Sequence, residues 1–356
     1  MKEPKGTQHK ISQIEANNRR KHEHLRINLT EDVQFEAVST GLENYRFVHQ
    51  ALPEIDASSI DLSVTLFGKQ LRAPLLLSPM TGGIRQAQRI NLNLARAAQE
   101  LGIAMGVGSQ RTAIDNPRVR NTFQVRDAAP DIFLFANLGA VQLNYGYGLD
   151  ECRRAVDMIK ADALMLHLNP LHEAFQPEGQ TNFSSLLRKI ERICKKLPVP
   201  VVVKEVGWGI SEPVARKLYE AGVAGIDVAG AGGTSWGEVE KHRSGNNDRN
   251  NIFTSFAQWG IPTSESIQMA RRGARGITLI ASGGIRTGLD VAKAIALGAD
   301  IAGIASPFLK AANDSVQAVI SSISDVIEVL RITMFGIGAA SLSELRDSPF
   351  LEKVKS

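Results

Sequence analysis

From about Pro74 onward, short apolar runs alternate with longer stretches whose apolar residues recur at helical spacing. The runs "APLLLS", "GIAMGVG", "DIFLFAN", "ALMLHL", "VPVVVK", "GIDVAG", "ITLIASGG" and "ADIAGIAS" predict eight strands. They are nearly continuous rather than alternating, as expected of parallel strands covered on both faces. Between them, "AQRINLNLARAAQELG", "ECRRAVDMIKA", "SEPVARKLYEAG" and "GLDVAKAIALG" read as amphipathic helices, several opening near Ser or Asp and stopping at Gly. In three passages a helix ends on Gly102, Gly222 or Gly298 and a strand begins within a few residues. Eight such units over roughly 260 residues predict an α/β fold, a (β/α)8 TIM barrel. An open doubly wound sheet shares this periodicity, and the pattern alone does not show closure.

Residues 1–73 contain no such unit and are expected to form an N-terminal extension, with "TGLENYRFVHQALPEID" packing onto a barrel domain at 74–356. The stretch "GEVEKHRSGNNDRNN", Gly237 to Asn251, is so poor in apolar residues that it predicts a mobile loop after the sixth strand. Composition adds exclusions. No run reaches membrane-spanning length and the polar start lacks a secretory pattern, so a cytoplasmic protein is expected. Cys152 and Cys194 are the only cysteines and lack CxxC spacing, which argues against a disulfide framework or thiolate zinc site. A net charge of +4 suits anionic ligands; with 6% aromatics and no basic stripe interleaved with them, no nucleic-acid partner is expected. The one basic cluster, "NRRKHEHLR", reads by default as a solvated face or arm.

Barrel active sites lie where the strands end, so the loops there carry the candidate chemistry. In order they are "SPMTGG", "GSQRT", "ANLG", "LHLNPLHEAFQPEGQ", "KEVGWG", "AGAGGTSW", "SGGIRTG" and "ASPF". Gly283, Gly284 and Ile285 are expected to open the helix after strand seven, and Ala305 and Ser306 the helix after strand eight, offering bare amides to a phosphate. Gly232, Gly233 and Thr234 strengthen that reading; the plainer alternative is tight turns. Lys204 ends strand five and has three readings: Schiff-base former, counter-ion for an anionic ligand, or ion-pair partner of Glu205. Ser109 and Asn137 suit a heteroaromatic ring. His167 and Asn169 stand two apart and share a face, and Pro170 is expected to end the strand before His172 and Glu173. A zinc site at His167, His172 and Glu173 lacks helical pairing, whereas Glu173 alone suits a Mg²⁺ shared with substrate phosphate.

Taken in order, "RRKHEHLR", "PMTGG", "GVGSQR", "FANLGA", "LHLNPLHE", "VKEVGWG", "AGAGGTSW" and "IASGGIRTGLDVAKAIALGA" resemble the type 2 isopentenyl-diphosphate isomerases over nearly the whole chain. The resemblance implies an FMN-binding barrel that interconverts isopentenyl and dimethylallyl diphosphate by an allylic proton shift in isoprenoid biosynthesis. It implies reduced FMN, Mg²⁺ and NADPH as cofactors, and a homotetramer or homo-octamer. By the same resemblance FMN would contact Met80, Thr81, Gly82, Ser109, Asn137, Lys204, Thr234, Gly283, Gly284, Ile285, Ile304 and Ala305. The diphosphate would meet Arg20, Lys21, Ser109, Gln110 and Arg111. Glu173 would hold the metal, with His167, Asn169 and His172 as the catalytic group.

One departure stands out. The family pattern is HLNxxQE, and this chain places His172 where the substrate-touching, proton-handling glutamine belongs. Histidine also donates and accepts a proton, with a different shape. Gln180, where the family usually carries an acid, is expected to matter only structurally. Two rival functions remain. An FMN barrel oxidoreductase would need a base late in the barrel, where only His242 is on offer, and a non-catalytic flavin or diphosphate binder is compatible with the missing glutamine.

Overall fold

The computed structural model describes residues 19–245 and 250–354. All eight expected strands form: β1 (Leu75–Leu77), β2 (Ala104–Gly106), β3 (Leu134–Gly139), β4 (Ala163–Leu168), β5 (Val201–Glu205), β6 (Gly225–Asp227), β7 (Thr278–Ala281) and β8 (Ile301–Ile304). They pair in parallel in chain order, and β8 returns to β1, so the sheet is a closed barrel rather than an open one. The helix-ending glycines do what their positions demand: Gly102, Gly222 and Gly298 have φ of 65°, 80° and 117°, a region that costs other residues a Cβ clash.

Each strand has an inward face, and its composition changes along the barrel axis. Near the strand starts the inward side chains are apolar, including Leu76, Phe135, Met165, Val202, Ile280 and Ile301, and they form one cluster with Leu66 and Leu71 of the hairpin formed by Val64–Leu66 and Lys69–Leu71. That hairpin closes one end of the barrel with hydrocarbon. Two residues further along each strand the inward positions turn polar or small: Ser78, Asn137, His167, Lys204, Asp227, Ser282 and Gly303. The outward face packs against the helix ring in a second, larger cluster.

The N-terminal segment is tied to the polar end. A helix over 19–30 lies against the strand-end loops, and residues 33–35 run alongside the loop after β6 through Phe35 N–H to Gly233 O at 3.0 Å and Ser235 N–H to Val33 O at 2.7 Å. Tyr45–Phe47 then pairs antiparallel with Leu351–Lys353, stapling the two ends of the described chain together. Asn18 of the basic cluster lies outside the described residues.

Three local expectations are corrected. The stretch from Gly237 is not a loop: Trp236–Ser244 is a helix capped by Ser235, whose Oγ accepts the Glu238 amide, and Asn250–Ser255 is another; residues 246–249 lie outside the description. Hydropathy misses this helix because Glu238 and Glu240 are buried charges. Pro170 does not separate the strand from a loop but occupies the first turn of a helix, Pro170–Phe175, where its missing N–H costs nothing. Gly283, Gly284 and Ile285 precede the helix after β7 without belonging to it. That helix starts at Gly288, and the Thr287–Asp290 capping box already satisfies its terminus.

Candidate functional site

The polar ends of the strands, their loops and the helix over 19–30 enclose one cavity. Its walls bring together most of the residues singled out from the sequence: Arg20, Lys21, Met80, Thr81, Ser109, Arg111, Asn137, His167, Asn169, His172, Glu173, Lys204, Thr234, Gly283, Gly284, Ile285 and Ala305. Three others stay outside it. Gly82 is packed so tightly on Phe123 that a Cβ would overlap the ring. Ile304 is buried within β8. Gln110 is fully buried, donating to Ala155 O at 2.8 Å and accepting the Asn137 amide at 2.9 Å, so its side chain braces the wall and does not face a ligand.

His167, Lys204 and Asp227 stand level on β4, β5 and β6. Lys204 Nζ lies 3.4 Å from Asp227 Oδ2 and 2.9 Å from the Glu205 carbonyl oxygen. The ion-pair partner is therefore Asp227, not the Glu205 carboxylate, which instead accepts the amides of Val206, Gly207 and Trp208 at 2.6, 2.7 and 2.5 Å. Burial pushes Glu205 up to about 7 against those three hydrogen bonds. Asp227 is held from the other side by the Ser282 hydroxyl at 2.5 Å. Across the barrel Asn137 uses its amide nitrogen on Val107 O, leaving Oδ1 to accept from His167 Nδ1 at 2.9 Å. That assigns the proton to Nδ1 and leaves Nε2 as an acceptor. Burial, then His172 and Lys204, push His167 down to about 3, so its ring is neutral.

Cations gather above this floor. Lys21 donates to the Ser109 carbonyl at 3.0 Å, and burial with Arg20 and Arg111 nearby pushes its ammonium down to about 7. Arg20 donates to Gln176 Oε1 at 3.0 Å. The basic cluster read by default as solvated thus turns two of its side chains inward. Opposite, Glu173 accepts from Asn169 Nδ2 at 3.0 Å and from the Gln180 amide at 2.6 Å, so Gln180 acts through its backbone. The Asn169 Oδ1 and Gln180 Oε1 atoms are buried without a donor, as is Ser78 Oγ.

The loops after β6 and β7 cross backbone to backbone. A Cβ on Gly283 would meet Gly230 O at 2.1 Å, and Gly283 has φ 99°, so only glycine fits there. After β8, Ala305 caps the helix Ser306–Asp314 without a side-chain hydrogen bond, which leaves that terminus to an external acceptor.

Several residues of the site carried no signal of their own: His24, Gln176, Trp236 and Glu240. Trp236 stacks on His172 with centroids 4.4 Å apart. Glu240 Oε1 faces His24 Nε2 at 2.8 Å and His172 Nε2 at 3.0 Å. Burial alone would raise the Glu240 carboxyl, but these two hydrogen bonds hold it well below the usual range. Burial likewise pushes His24 down to about 4. His242, the base an oxidoreductase would need, is exposed, with its ring 3.3 Å from Asp32 O.

Comparison with known proteins agrees with this architecture. A sequence profile of the FMN-dependent dehydrogenases matches residues 16–122 and 172–352. An isopentenyl-diphosphate delta-isomerase of Nostoc sp. is 56% identical over 94% of this chain and 96% of its own length. Those of Synechocystis sp. and Rickettsia bellii are 53% and 51% identical, over 94% and 92% of this chain and 96% of each relative. Among solved structures, a mandelate oxidase superposes with a TM-score of 0.63 at 21% identity, over 88% of this chain and 90% of that one. A Pediococcus acidilactici lactate oxidase gives 0.62 at 18% identity, over 94% and 87%; at such identities the likeness concerns the fold.

Proposed function

The chain belongs to the isopentenyl-diphosphate delta-isomerases, within the FMN-dependent dehydrogenase family, and from that premise we propose that it interconverts isopentenyl and dimethylallyl diphosphate for isoprenoid biosynthesis, using reduced FMN and Mg²⁺. The observation that carries the reading is the polarity of one cavity: a cation cluster of Arg20, Lys21 and Arg111 lines it together with a neutral imidazole and a lysine on the barrel floor. Such a cavity suits a ligand with an anionic head and an uncharged tail.

The residues present fit both expected groups. Lys204, Asn137, Met80 and Thr81 would hold the flavin ring, with the Ser78 hydroxyl free to bond it, while the loops of Gly283 to Ile285 and of Ala305 and Ser306 would hold its phosphate. Glu173 would bind Mg²⁺ with the unpartnered Asn169 oxygen at hand, since that ion takes oxygen ligands and keeps waters. When bound, reduced flavin supplies an electron-rich ring that gives and takes back a proton beside a developing cation. Arg20, Lys21 and Arg111 fix the diphosphate. His167 accepts at Nε2, and Trp236 keeps His172 in place as the donor and acceptor where relatives of HLNxxQE type carry glutamine. Asp227 shares the charge of Lys204, so the lysine serves as counter-ion rather than nucleophile. NADPH as reductant, a cytoplasmic location and a homo-oligomer belong to the same proposal. No helix among the described residues is long and apolar enough to cross a membrane.

The test is to mix photoreduced protein with isopentenyl diphosphate and Mg²⁺. Dimethylallyl diphosphate should accumulate with many turnovers per reducing equivalent. Stoichiometric consumption of reductant, or tight binding without product, contradicts the proposal.

A further inference from the structure

Three side chains from three separate elements converge on one point of the cavity wall: His24 from the helix over 19–30, His172 from Pro170–Phe175 and Glu240 from Trp236–Ser244. We propose that they form a binding site for a divalent transition-metal ion of the zinc type, separate from the all-oxygen surroundings of Glu173. The ligand atoms all lie within 4.8 Å of one another, with Glu240 Oε1 at 2.8 Å from His24 Nε2 and 3.0 Å from His172 Nε2. A tetrahedral ion with bonds of about 2.0–2.2 Å needs its ligands about 3.3 Å apart. The cluster therefore has to open by only a few tenths of an ångström, roughly the difference between those spacings.

The surroundings are those of a built site. The side chains are 16%, 11% and 2% exposed. Trp236 fixes both rings, stacked on His172 and edge-on to His24 at 5.3 Å. Arg243 Nη1 donates to the second oxygen of Glu240 at 3.0 Å, the kind of outer contact that orients a ligating carboxylate. In the metal-free arrangement two imidazole nitrogens compete for one carboxylate oxygen, and the Gln176 amide nitrogen presses on the same His172 Nε2. One ring nitrogen cannot donate to Glu240 and accept from Gln176 at once. A cation at the centre removes the conflict by taking both lone pairs.

The donor set also selects the ion. Two imidazoles and a carboxylate suit Zn²⁺, Co²⁺ or Ni²⁺, whereas Mg²⁺ prefers oxygen and water. His24 and His172 line the cavity and Glu240 does not, so the fourth coordination position opens toward the cavity. The neutral His24 ring needs to lose no proton to bind.

The experiment uses untagged, flavin-loaded protein and needs no turnover, so its outcome is independent of the isomerase reading. Zn²⁺ is titrated against a chromophoric chelator in excess Mg²⁺, and the melting temperature is followed with and without Zn²⁺. One equivalent is expected to bind and to raise the melting temperature. His172→Gln, His24→Gln and Glu240→Gln are each expected to weaken binding at least about tenfold, with melting curves in the absence of Zn²⁺ reporting whether each variant is folded. No stoichiometric binding by the unaltered protein overturns the proposal, and so does equal affinity in every folded variant.

Discussion

Lys21 shows how far a single side chain's environment changes its chemistry. In the free protein its proton is lost near pH 7, because burial and two neighbouring guanidinium groups disfavour the charge. A diphosphate prefers the ammonium form, so affinity is fully present below that value and declines as pH rises through it. KM for isopentenyl diphosphate is expected to climb above about pH 7, and Lys21→Arg, which stays charged, should flatten the profile. A KM that is level across this range in the unaltered protein contradicts the assignment. Asp227 makes a different point. It is fully buried and answers Lys204 at 3.4 Å, so Asp227→Asn leaves a buried cation unmatched. Loss of about 3 kcal/mol is expected in urea unfolding of the flavin-free protein. Neither role is written in local sequence. "GIDVAG" reads as an apolar strand, and only the closed barrel, which sets Lys204 and Asp227 level on adjacent strands, gives the carboxylate its partner.

Elements were legible wherever hydropathy follows burial. The eight strands and the helix-ending glycines are in the pattern because hydrocarbon covers them on both sides. The helix Trp236–Ser244 is not, because its inward face is made of charge: Glu240 meets two imidazoles, and Arg243 binds Glu240, Glu23 and Glu178 together. Those contacts join the helix over 19–30, the loop around Glu178 and this helix over the cavity. Arg243→Ala should therefore raise KM roughly five- to tenfold, about 1–1.4 kcal/mol, with a smaller change in kcat, and expose the helix over 19–30 to proteolysis. Unaltered KM and proteolysis would show that the three elements dock without the arginine. Capping separates two readings of the loop after β7. Thr287 Oγ1 accepts the Asp290 amide at 3.1 Å, so Thr287→Ala should cost about 1 kcal/mol of stability. FMN affinity should be unchanged, since Gly283 to Ile285 lie upstream of that terminus. A large loss of FMN affinity in this variant would restore the helix terminus as the phosphate site.

At the scale of the whole molecule, closure of the barrel turns eight separate strand ends into one polar cavity, which periodicity along the chain could imply but not display. The axial change from Leu76, Phe135 and Val202 to Ser78, Asn137 and Lys204 is a two-residue step repeated around the ring. It divides the barrel into a hydrocarbon end that holds the fold and a polar end that holds ligands. Outside the barrel, the helix Val316–Gly336 is apolar on more than its inward side. Val319, Ile323, Val326, Leu330 and Met334 are buried, while Val329, Ile332 and Phe335 remain 39%, 59% and 37% exposed. The exposed three are spaced three apart and form one stripe, the kind of surface a monomer seldom leaves in water. A second copy of the chain is the occupant expected from the family's homo-oligomeric habit, and a closed symmetric assembly would cover the stripe in every subunit. Ile332→Glu puts a charge in that contact without touching the barrel. Sedimentation should then give a smaller species than the unaltered protein, with flavin content preserved; an identical distribution for the two would place the subunit contact elsewhere on the helix ring.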